Sequence, residues 1–498
     1  MTFDISFITD IFGDFTPMAP MLILLFGALI MPAMYFATKK RAAVTATMLI
    51  AIAISLILNV LMMVEGYTGI YAGLFEYDAF TGLMILLFQT VVFLVAMVSA
   101  ASTETTRLHY GAYNSLLLAA TVGMMFVAAS TDLITIFVGV ELASISSYAL
   151  VAMKRSDPRA AEAAVKYVVI GGLSTALTIY GLSMIYGVTG TTNIEDIAIA
   201  LSTGEFTWAF GIAMITMIAG YGFKIAAVPF HMWAPDVYEG AATPVTAFLA
   251  TGSKKMGIVV FFKIFLVMFV AGTSVSAFAT EEIQYTFAII AAITMTVGNV
   301  VAISQGNIKR MLAYSSIAQA GYILIVMAVM TEYAVTGGLF HMFTHVFMKG
   351  GAFLIVGALI CVGVGEKISD YRGLFSRSKF MSISMLIFLF SLAGIPLLAG
   401  FTSKFILFSS AIYVDGEVVT QWVWLAFIAI LNSAISLYYY ARVAKAMFVE
   451  KGETSEKIKT PMAFNVAIGV CVFFTVVLFF YPQLILDFCA DAAAALFN

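Results

Sequence analysis

The stretch Tyr221–Gly257 reads YGFKIAAVPFHMWAPDVYEGAATPVTAFLATGSKKMG and places charged side chains within strongly apolar sequence. Its lysines are Lys224, Lys254 and Lys255, and each is flanked by apolar residues. An ionisable group in the middle of a membrane costs at least about 2.5–3.5 kcal/mol, so a functional site is the default interpretation of such a group. The stretch therefore predicts a membrane protein with a polar interior.

The composition of the whole chain supports this interpretation. Hydrophobic residues make up 62% of the sequence and charged residues only 11%, whereas soluble domains contain about 25% charged residues. Apolar runs of about twenty residues, enough to cross roughly 30 Å of hydrocarbon, recur from end to end. We predict an all-α polytopic membrane protein with about fourteen transmembrane helices. These predicted spans, numbered 1 to 14, cover residues 17–37, 43–65, 78–100, 110–129, 131–153, 161–187, 208–229, 243–270, 283–304, 307–330, 335–364, 381–413, 420–448 and 462–484.

Motifs for redox or metal chemistry are missing from the sequence. Cys361, Cys471 and Cys489 are scattered, without the spacing of a disulfide framework or a metal site. No GxGxxG motif follows a predicted strand. We therefore expect no catalytic redox residue, no cofactor and no metal in this chain, and nothing in the sequence suggests a nucleic-acid partner.

The charges of the loops predict the orientation in the membrane. Loops after odd-numbered spans carry the bases, and loops after even-numbered spans carry acids but no Lys or Arg, so the positive-inside rule places the odd-numbered loops in the cytoplasm. We expect a multi-pass protein of a prokaryotic cell (inner) membrane with both termini on the non-cytoplasmic side. The seventh loop departs from the pattern, since it has Asp236 and Glu239 but no base. The bases are Lys39, Lys40, Arg41, Arg107, Lys154, Arg155, Arg159, Lys309, Arg310, Lys367, Arg372, Arg377, Lys379, Lys451, Lys457 and Lys459, and the acids include Glu76, Asp78, Glu195, Glu205 and Asp415.

Glu141 and Lys224 are predicted to form a buried pair. Glu141 lies about ten residues inside span 5, too deep for a short side chain to reach water, with Ser144 and Tyr148 on the same helix face. Lys224 lies in the last third of span 7 and is the expected partner. A pair whose separation changes can act as a proton switch, and the alternative is a static ion pair.

Four further lysines lie within predicted spans. Lys254 in span 8 and Lys404 in span 12 have no acid close in sequence, and we predict that both relay protons. Lys255 points about 100° away from Lys254 on a helix, and both a structural role and a relay role remain open for it. Lys263 is nearer the end of span 8 and is expected to extend its amine to the membrane surface.

Histidines form a second group of candidates. His341, His345 and Lys349 are spaced at i, i+4 and i+8, so they share one face of span 11. Such a face can carry a proton relay or make hydrogen bonds between helices, whereas a zinc site would need further ligands. His231 lies at the proline of span 7, where it either hydrogen-bonds freed carbonyl groups or joins the relay.

Two spans contain prolines that should break their helices. AAVPFH in span 7 contains Pro229, and LAGIPLLAG in span 12 contains Pro396. They occupy the third position of two successive five-helix blocks, 110–270 and 283–448, and an odd number of helices per block gives two inverted repeats. Paired broken helices in inverted repeats are typical of transporters and line the path of the transported species. The remaining segments are an N-terminal three-helix segment, 1–109, and a C-terminal segment with helix 14, 449–498.

Four motifs carry a resemblance to a known family. The sequence looks like subunit N of respiratory complex I, the antiporter-like membrane subunit of proton-pumping NADH:quinone oxidoreductases and of related archaeal deazaflavin-dependent dehydrogenases. PDVYEG is the part that favours subunit N over the L and M subunits and over Mrp antiporters. The motifs are FKIAAVPFHMWAPDVYEGAATPVTAFLATGSK (Phe223–Lys254), NIKRMLAYSSIAQAGY (Asn307–Tyr322), DYRGL (Asp370–Leu374) and AGIPLLAGFTSKF (Ala393–Phe405).

The resemblance implies site residues, partners and cofactors. The lysines and the glutamate of the family's proton path match Glu141, Lys166 in AAEAAVKY, Lys224, Lys254 and Lys404. The implied partners are other membrane subunits, of M/L-like and K/J/A/H-like types, and a peripheral redox arm. Flavin, iron–sulfur clusters and quinone or phenazine would belong to those partners. The electron donor remains open between NADH, a reduced deazaflavin and ferredoxin.

Two features depart from the subunit N pattern. Gln319 stands where that pattern often has histidine, and the HxxxHxxxK arrangement that ends at Lys349 is closer to the L, M and Mrp-type subunits. A subunit of an Mrp-type cation/proton antiporter is therefore the alternative function. A structural adaptor between pump modules is a third hypothesis, although it leaves the buried charges without a role.

Overall fold

A computed structural model of the chain describes residues 6–105, 109–154, 157–203, 208–270, 277–414, 417–452, 454 and 456–497. Within these ranges, thirteen helices are long and apolar enough to cross a membrane, and the shorter apolar helix Lys379–Ala393 accompanies them. The fold is all-α, as predicted. The loop residues Arg107, Arg155, Glu205 and Asp415, which contributed to the charge pattern, lie outside the described residues.

Spans 1 to 6 are helical close to the predicted limits. Side-chain caps set several of their starts, because a cap binds backbone amides that have no partner within the helix. Asp132 accepts hydrogen bonds from the amides of Ile134 and Thr135 ahead of span 5, and Asp157 caps span 6 in the same way. The helices are Ala19–Thr38, which follows Ser6–Phe12 and the 3₁₀ turn Gly13–Met18, then Arg41–Val64, Ala79–Ser99, Tyr110–Ala129, Leu133–Ala152 and Pro158–Thr189.

Span 7 is broken, and its helix Trp208–Ile225 ends four residues before the predicted limit. The chain leaves the helix at Ala226, which has a φ of 57°, and Pro229 cannot donate the hydrogen bond that would continue it. A short helix, Trp233–Gly240, then begins. The indole Nε1 of Trp233 donates to the carbonyl of Phe223 at 2.9 Å. That carbonyl also accepts from the amide of Ala226 at 2.9 Å, so the hydrogen bond from Trp233 ties the short helix to the end of the broken one.

Span 8 alternates between α-helical and π-helical turns. Its α-helical parts are Thr243–Phe248, Lys254–Phe261 and Val267–Val270, and its π-helical turns are Leu249–Ser253 and Phe262–Leu266. Every residue in the most apolar part of this span is buried by the rest of the chain, so it is a central element of the fold. Spans 10 and 11 are almost as deeply buried, whereas in spans 1, 2, 6 and 14 only a third or less of the most apolar part is buried, so these spans lie at the periphery.

Spans 9 to 14 complete the bundle, and span 12 is the second broken helix. It consists of Lys379–Ala393 and Ala399–Ser409, and the intervening turn includes Gly394 at φ 87° and Leu397 at φ 73°. Both breaks fall at the predicted prolines. The other helices are Ala277–Ser304, Ile308–Ile323 with Ile325–Val329, Glu332–Cys361, Val423–Phe448 and Met462–Phe480.

Several smaller elements were not predicted. The C-terminal segment contains a second helix, Gln483–Phe497, in addition to the expected helix 14, and this helix packs against spans 3 and 11. Its acidic residues interrupt the apolar run, but Cys489 and its small neighbours bury one face. The remaining elements are the helices Ile194–Thr203 and Leu374–Arg377, the 3₁₀ turns Thr103–Thr105 and Ile368–Tyr371, and two antiparallel hairpins, Gly69–Tyr71 with Phe75–Tyr77 and Tyr413–Val414 with Glu417–Val418.

Candidate functional site

Glu141 and Lys224 face one small cavity but do not touch. Lys224 Nζ donates to Ser144 Oγ at 2.8 Å, and Glu141 Oε1 accepts from Thr175 Oγ1 at 2.8 Å. Among the residues that the structure describes, no ion pair joins Glu141 to Lys224. All four side chains line a cavity of about 20 Å³, which is enough space for one water molecule. The predicted partners are therefore brought together, with hydroxyl groups in place of a direct contact.

Aromatic rings surround the amine of Lys224. Its Nζ lies 5.7 Å from the ring centre of Tyr167 and 6.0 Å from that of Tyr148. Tyr167 is stacked on Trp233 at 4.6 Å, so the short helix after the break supports this wall. Rings at such distances attract a cation through their negatively charged faces. The site can thus hold the charged amine without a bound carboxylate.

Lys166 lies at the edge of the site and not in its interior. Its side chain is 41% exposed, and its Nζ pairs with Asp236 at 2.6 Å and with Glu162 at 2.7 Å. Asp236 also accepts from Arg310 Nη1 at 2.6 Å. The acidic seventh loop, which was anomalous in the charge pattern, therefore receives its bases from spans 6 and 10.

Lys254 is buried at the centre of the molecule. Its Nζ lies 5.5 Å from the ring centre of Tyr238 and makes no hydrogen bond within the described ranges. Lys255 is equally buried. Lys254, Lys255, Lys349 and the ring of His345 are close enough to act on one another electrostatically, so they form one buried cluster of ionisable groups.

Span 11 carries the predicted line of polar groups. His341 Nδ1 is 2.9 Å from Ser403 Oγ, and its Nε2 is 3.0 Å from Gln319 Oε1. Lys349 Nζ donates to Ser315 Oγ at 2.6 Å. His345 lies between His341 and Lys349 on this helix face. Neither of its ring nitrogens makes a hydrogen bond in the part of the chain that the structure describes.

Lys404 closes the break of span 12. Its Nζ donates to the carbonyl of Leu392 at 2.7 Å and to Ser433 Oγ at 3.0 Å, and it lies 4.8 Å from the ring centre of Tyr322. Gln319 Nε2 donates to the same Leu392 carbonyl at 3.2 Å. Lys404 and the His341–Gln319 pair thus share one freed acceptor. The amine also lines an apolar cavity of about 440 Å³ at the side of the bundle.

His231 lies apart from this line. Its ring is half-buried beside the carbonyl of Pro229 at the break of span 7, and Lys254 is the charged group that acts on it. Its Nδ1 has no hydrogen bond among the described residues. This position fits the first alternative, a ring close to freed backbone groups, and leaves the second open.

Sequence reasoning missed a group of charges that we call the odd-loop cluster, formed by Glu104, Lys154, Lys309 and Glu366. Lys309 is fully buried, and its Nζ lies 3.2 Å from Glu366 Oε1 and 3.8 Å from Glu104 Oε1. Glu104 also pairs with Lys154 at 3.3 Å and accepts from the amide of Thr243 at 2.9 Å. The cluster therefore fixes the start of span 8, which carries Lys254.

The odd-loop cluster also controls the protonation of Glu104. Burial alone raises the pKa of this carboxyl, but the charge of Lys309, the hydrogen bond from Thr243 and the charge of Lys154 outweigh burial and hold the pKa below its usual range. The carboxyl is thus ionised at neutral pH. The sequence signals for this cluster were two acids, Glu104 and Glu366, in odd-numbered loops that otherwise carry bases.

The buried groups follow one another from span to span: Glu141 and Lys224, then Lys254 and Lys255, then Lys349, His345 and His341, and finally Lys404. Two broken helices carry Lys224 and Lys404. Ionisable groups inside a membrane bundle that face one another mark a path for ions or protons, and broken helices line such paths in transporters. The fold and the site define an antiporter-like membrane subunit.

Comparison with known proteins defines the family. The family model described as NADH:quinone oxidoreductase/Mrp antiporter, TM, matches residues 130–436, and the chain belongs to this family. The chain is 42% identical over 451 residues to F(420)H(2) dehydrogenase subunit N of Methanosarcina mazei, with 88% of each chain covered. It is 39% identical over 443 residues to NADH-quinone oxidoreductase subunit N of Bacillus anthracis, with 87% of this chain and 86% of that one covered. Within the family it is an antiporter-like subunit of the N type, as the motifs indicated.

Solved structures share the architecture. A chain of respiratory complex I from Thermus thermophilus matches with a TM-score of 0.79 and 26% identity, covering 95% of this chain and 99% of that chain. A chain of the membrane-bound sulfane sulfur reductase, an archaeal respiratory complex, matches with a TM-score of 0.86 and 26% identity, covering 97% of this chain and 98% of that chain. A chain of the Mrp complex from Dietzia matches with a TM-score of 0.85 but only 21% identity, covering 97% of this chain and 98% of that chain. This likeness shows a shared fold alone.

Proposed function

We propose that this chain carries protons across the membrane, and that electron transfer in partner subunits drives the transport. The residues proposed to move the proton are Glu141, Lys224, Lys254 and Lys404. Lys166 would adjust the path from its edge, and His345 and Lys349 would connect its two halves. The observation that supports this most is that the buried amines are held by hydroxyl groups, carbonyls and aromatic rings. Such contacts, unlike a permanent ion pair, do not hold an amine in its charged form.

The site suggests how the first step works. Lys224 needs only to exchange Ser144 for Glu141, one helical turn away, to form the ion pair that sequence analysis expected. The pair favours the charged amine, and its opening favours release of the proton. A conformational change that opens and closes this contact would therefore change the proton occupancy of Lys224. Lys254, which has no fixed counter-ion, would be the next acceptor.

The partners would supply the redox chemistry. In this proposal, flavin and iron–sulfur clusters lie in a peripheral arm, quinone or phenazine is the acceptor, and membrane subunits of M/L-like and K/J/A/H-like types flank this chain. The printed names of the relatives include both NADH and F(420)H(2) as donors, and either fits the proposal. The odd-numbered loops would face the cytoplasm and both termini the outside, so that Lys404 passes the proton outward.

The test uses the whole complex, purified and reconstituted in vesicles. Glu141→Gln and Lys224→Met should lower the number of protons moved per electron while electron transfer and subunit content are retained. Lys457→Met is the matched control, because Lys457 is an exposed loop lysine and its replacement should leave the ratio unchanged. Wild-type ratios in both site variants would refute the proposal.

The alternative is a cation/proton antiporter driven by an ion gradient. The HxxxHxxxK face of span 11 favours it, and the family model that matches the chain also covers Mrp antiporters. Exchange of sodium for protons by the purified protein, in the absence of any electron donor, would support this alternative. Loss of transport when the donor is withheld would support the redox-driven pump.

A further inference from the structure

A cavity of about 280 Å³ lies at the end of span 8 that faces the even-numbered loops. We call it the even-loop vestibule, and its polar walls include Glu76, Asp78, Glu195 and Lys263. Its space corresponds to roughly ten water molecules. The C-terminal helix contributes the apolar end Ala495–Phe497 to the wall. None of these groups belongs to the path described above.

The sequence predicted that Lys263 extends its amine to the membrane surface, but the structure places this side chain in the interior of the protein. Its side chain is 95% buried, with 5% exposed, and it lines the vestibule from within. Across the described ranges it makes no hydrogen bond and no ion pair, and its Nζ lies 5.4 Å from the ring centre of Phe80. The amine is held inward because two elements cover this end of the span. They are the hairpin Gly69–Tyr71 with Phe75–Tyr77 and the helix Ile194–Thr203.

The backbone marks the same position. Lys263 lies in the π-helical turn Phe262–Leu266, and the other π-helical turn of span 8 ends immediately before Lys254. Such turns are rare and occur often at functional sites. Lys263 lies nine residues beyond Lys254 on one helix, a rise of about 13 Å, so the two lysines occupy successive levels of the membrane.

Glu76 is the carboxylate best placed to exchange a proton with Lys263. Asp78 is already engaged as the cap of span 3, where it accepts from the amide of Thr81 at 2.7 Å. Glu195 is exposed at the start of its helix. Glu76 is half-buried, and burial raises its pKa, with the charge of Lys263 acting in the opposite direction and those of Asp78 and Glu195 adding to the increase.

We infer that Lys263 and Glu76 form a second proton-release site, at the outer end of span 8 and separate from the outward route through Lys404. The inference rests on the proposed function. The ammonium of Lys263 gives one proton to the carboxylate of Glu76, which leaves a neutral amine and a carboxylic acid. Glu76 then gives the proton to water in the vestibule, and the amine takes up the next proton that arrives from the level of Lys254. Each cycle returns both groups to their initial charges.

The test compares variants in the reconstituted complex. Lys263→Arg keeps a buried cation but cannot release a proton, because the guanidinium stays charged in proteins. Lys263→Arg and Glu76→Gln should each lower the number of protons moved per electron below the wild-type value. Lys457→Met serves again as the control at an exposed lysine and should keep the wild-type ratio. Electron-transfer rate and subunit content report assembly.

The outcomes separate the two proposals. A wild-type ratio in Lys263→Arg, beside a lowered ratio in Lys254→Met, would overturn the release site and leave the proposed function standing. Wild-type ratios in all variants would overturn both. A lowered ratio in Lys263→Met that Lys263→Arg restores would assign a structural cation and would also overturn the release site. The release site is supported if Lys263→Arg lowers the number of protons moved per electron and Glu76→Gln shifts the pH profile of proton release.

Discussion

Replacing Lys309 by methionine should destabilise the protein through the odd-loop cluster. The amine is fully buried between Glu366 at 3.2 Å and Glu104 at 3.8 Å. Breaking a buried ion pair by removing one partner costs about 3–5 kcal/mol, because the remaining charge is left uncompensated. Glu104 keeps Lys154 and Glu366 keeps Arg159, so we expect a loss at the lower end, about 3 kcal/mol.

The measurement is the free energy of unfolding in mixed micelles, obtained by titrating the protein with a denaturing detergent. Lys457→Met is the control, since Lys457 is an exposed loop lysine outside the cluster and its replacement should change the unfolding free energy by no more than about 0.5 kcal/mol. The double variant Lys309→Met with Glu104→Gln should regain part of the loss, since it removes both charges of a buried pair. Two results would refute this prediction. One is a loss of unfolding free energy below about 1 kcal/mol in Lys309→Met. The other is a loss in the double variant that equals the sum of the losses in the two single variants.

The same cluster predicts an acid dependence. The pKa of Glu104 is lower in the folded protein than its usual value, so its stabilising effect is complete above the usual pKa and is lost as the pH falls through the lowered one. The difference in unfolding free energy between wild type and Glu104→Gln should therefore shrink in acid. A difference that does not vary with pH would contradict this assignment.

Two further variants test the broken helices. In Gly400→Ala, the new Cβ would meet the carbonyl of Ser391, so the variant should lose about 1–3 kcal/mol of unfolding free energy. Gly172→Ala, where a Cβ meets nothing within 4 Å, should not lose stability. Trp233→Phe removes the hydrogen bond to the Phe223 carbonyl and should cost about 0.5–1.5 kcal/mol, because that carbonyl keeps its hydrogen bond from the amide of Ala226. A neutral Gly400→Ala or Trp233→Phe would show that the break tolerates the change.

Hydropathy alone predicted most of the fold, because each span must satisfy its backbone hydrogen bonds internally and therefore has a fixed minimum length in apolar residues. Pro229 and Pro396 predicted the breaks for a similarly local reason. The helix Gln483–Phe497 was missed since Asp487 and Asp491 interrupt its apolar run, while its small buried face is visible only against spans 3 and 11.

The site was harder to predict than the fold. Spacing along span 5 placed Glu141 and Ser144 on one face, but it could not determine which of them Lys224 contacts, because that depends on the rotation of two helices about their axes. Lys263 was misjudged for the same reason: its position near a helix end is local, but the hairpin that covers it comes from a distant part of the chain. Glu104 and Lys309 have no common local signal in the sequence.

The odd-loop cluster also imposes an order on biosynthesis. Glu104 leaves the ribosome roughly 200 residues before Lys309, an interval of about 10–40 s at 5–20 residues per second. Until then, the carboxylate lacks the partner that makes its burial favourable, and the amide of Thr243 that it later binds has no fixed position. The first three helices can enter the membrane early, but their junction with span 8 must wait for the second half of the chain. Truncated chains that end before residue 309 should therefore be targets for membrane proteases, even though most of their spans are already inserted.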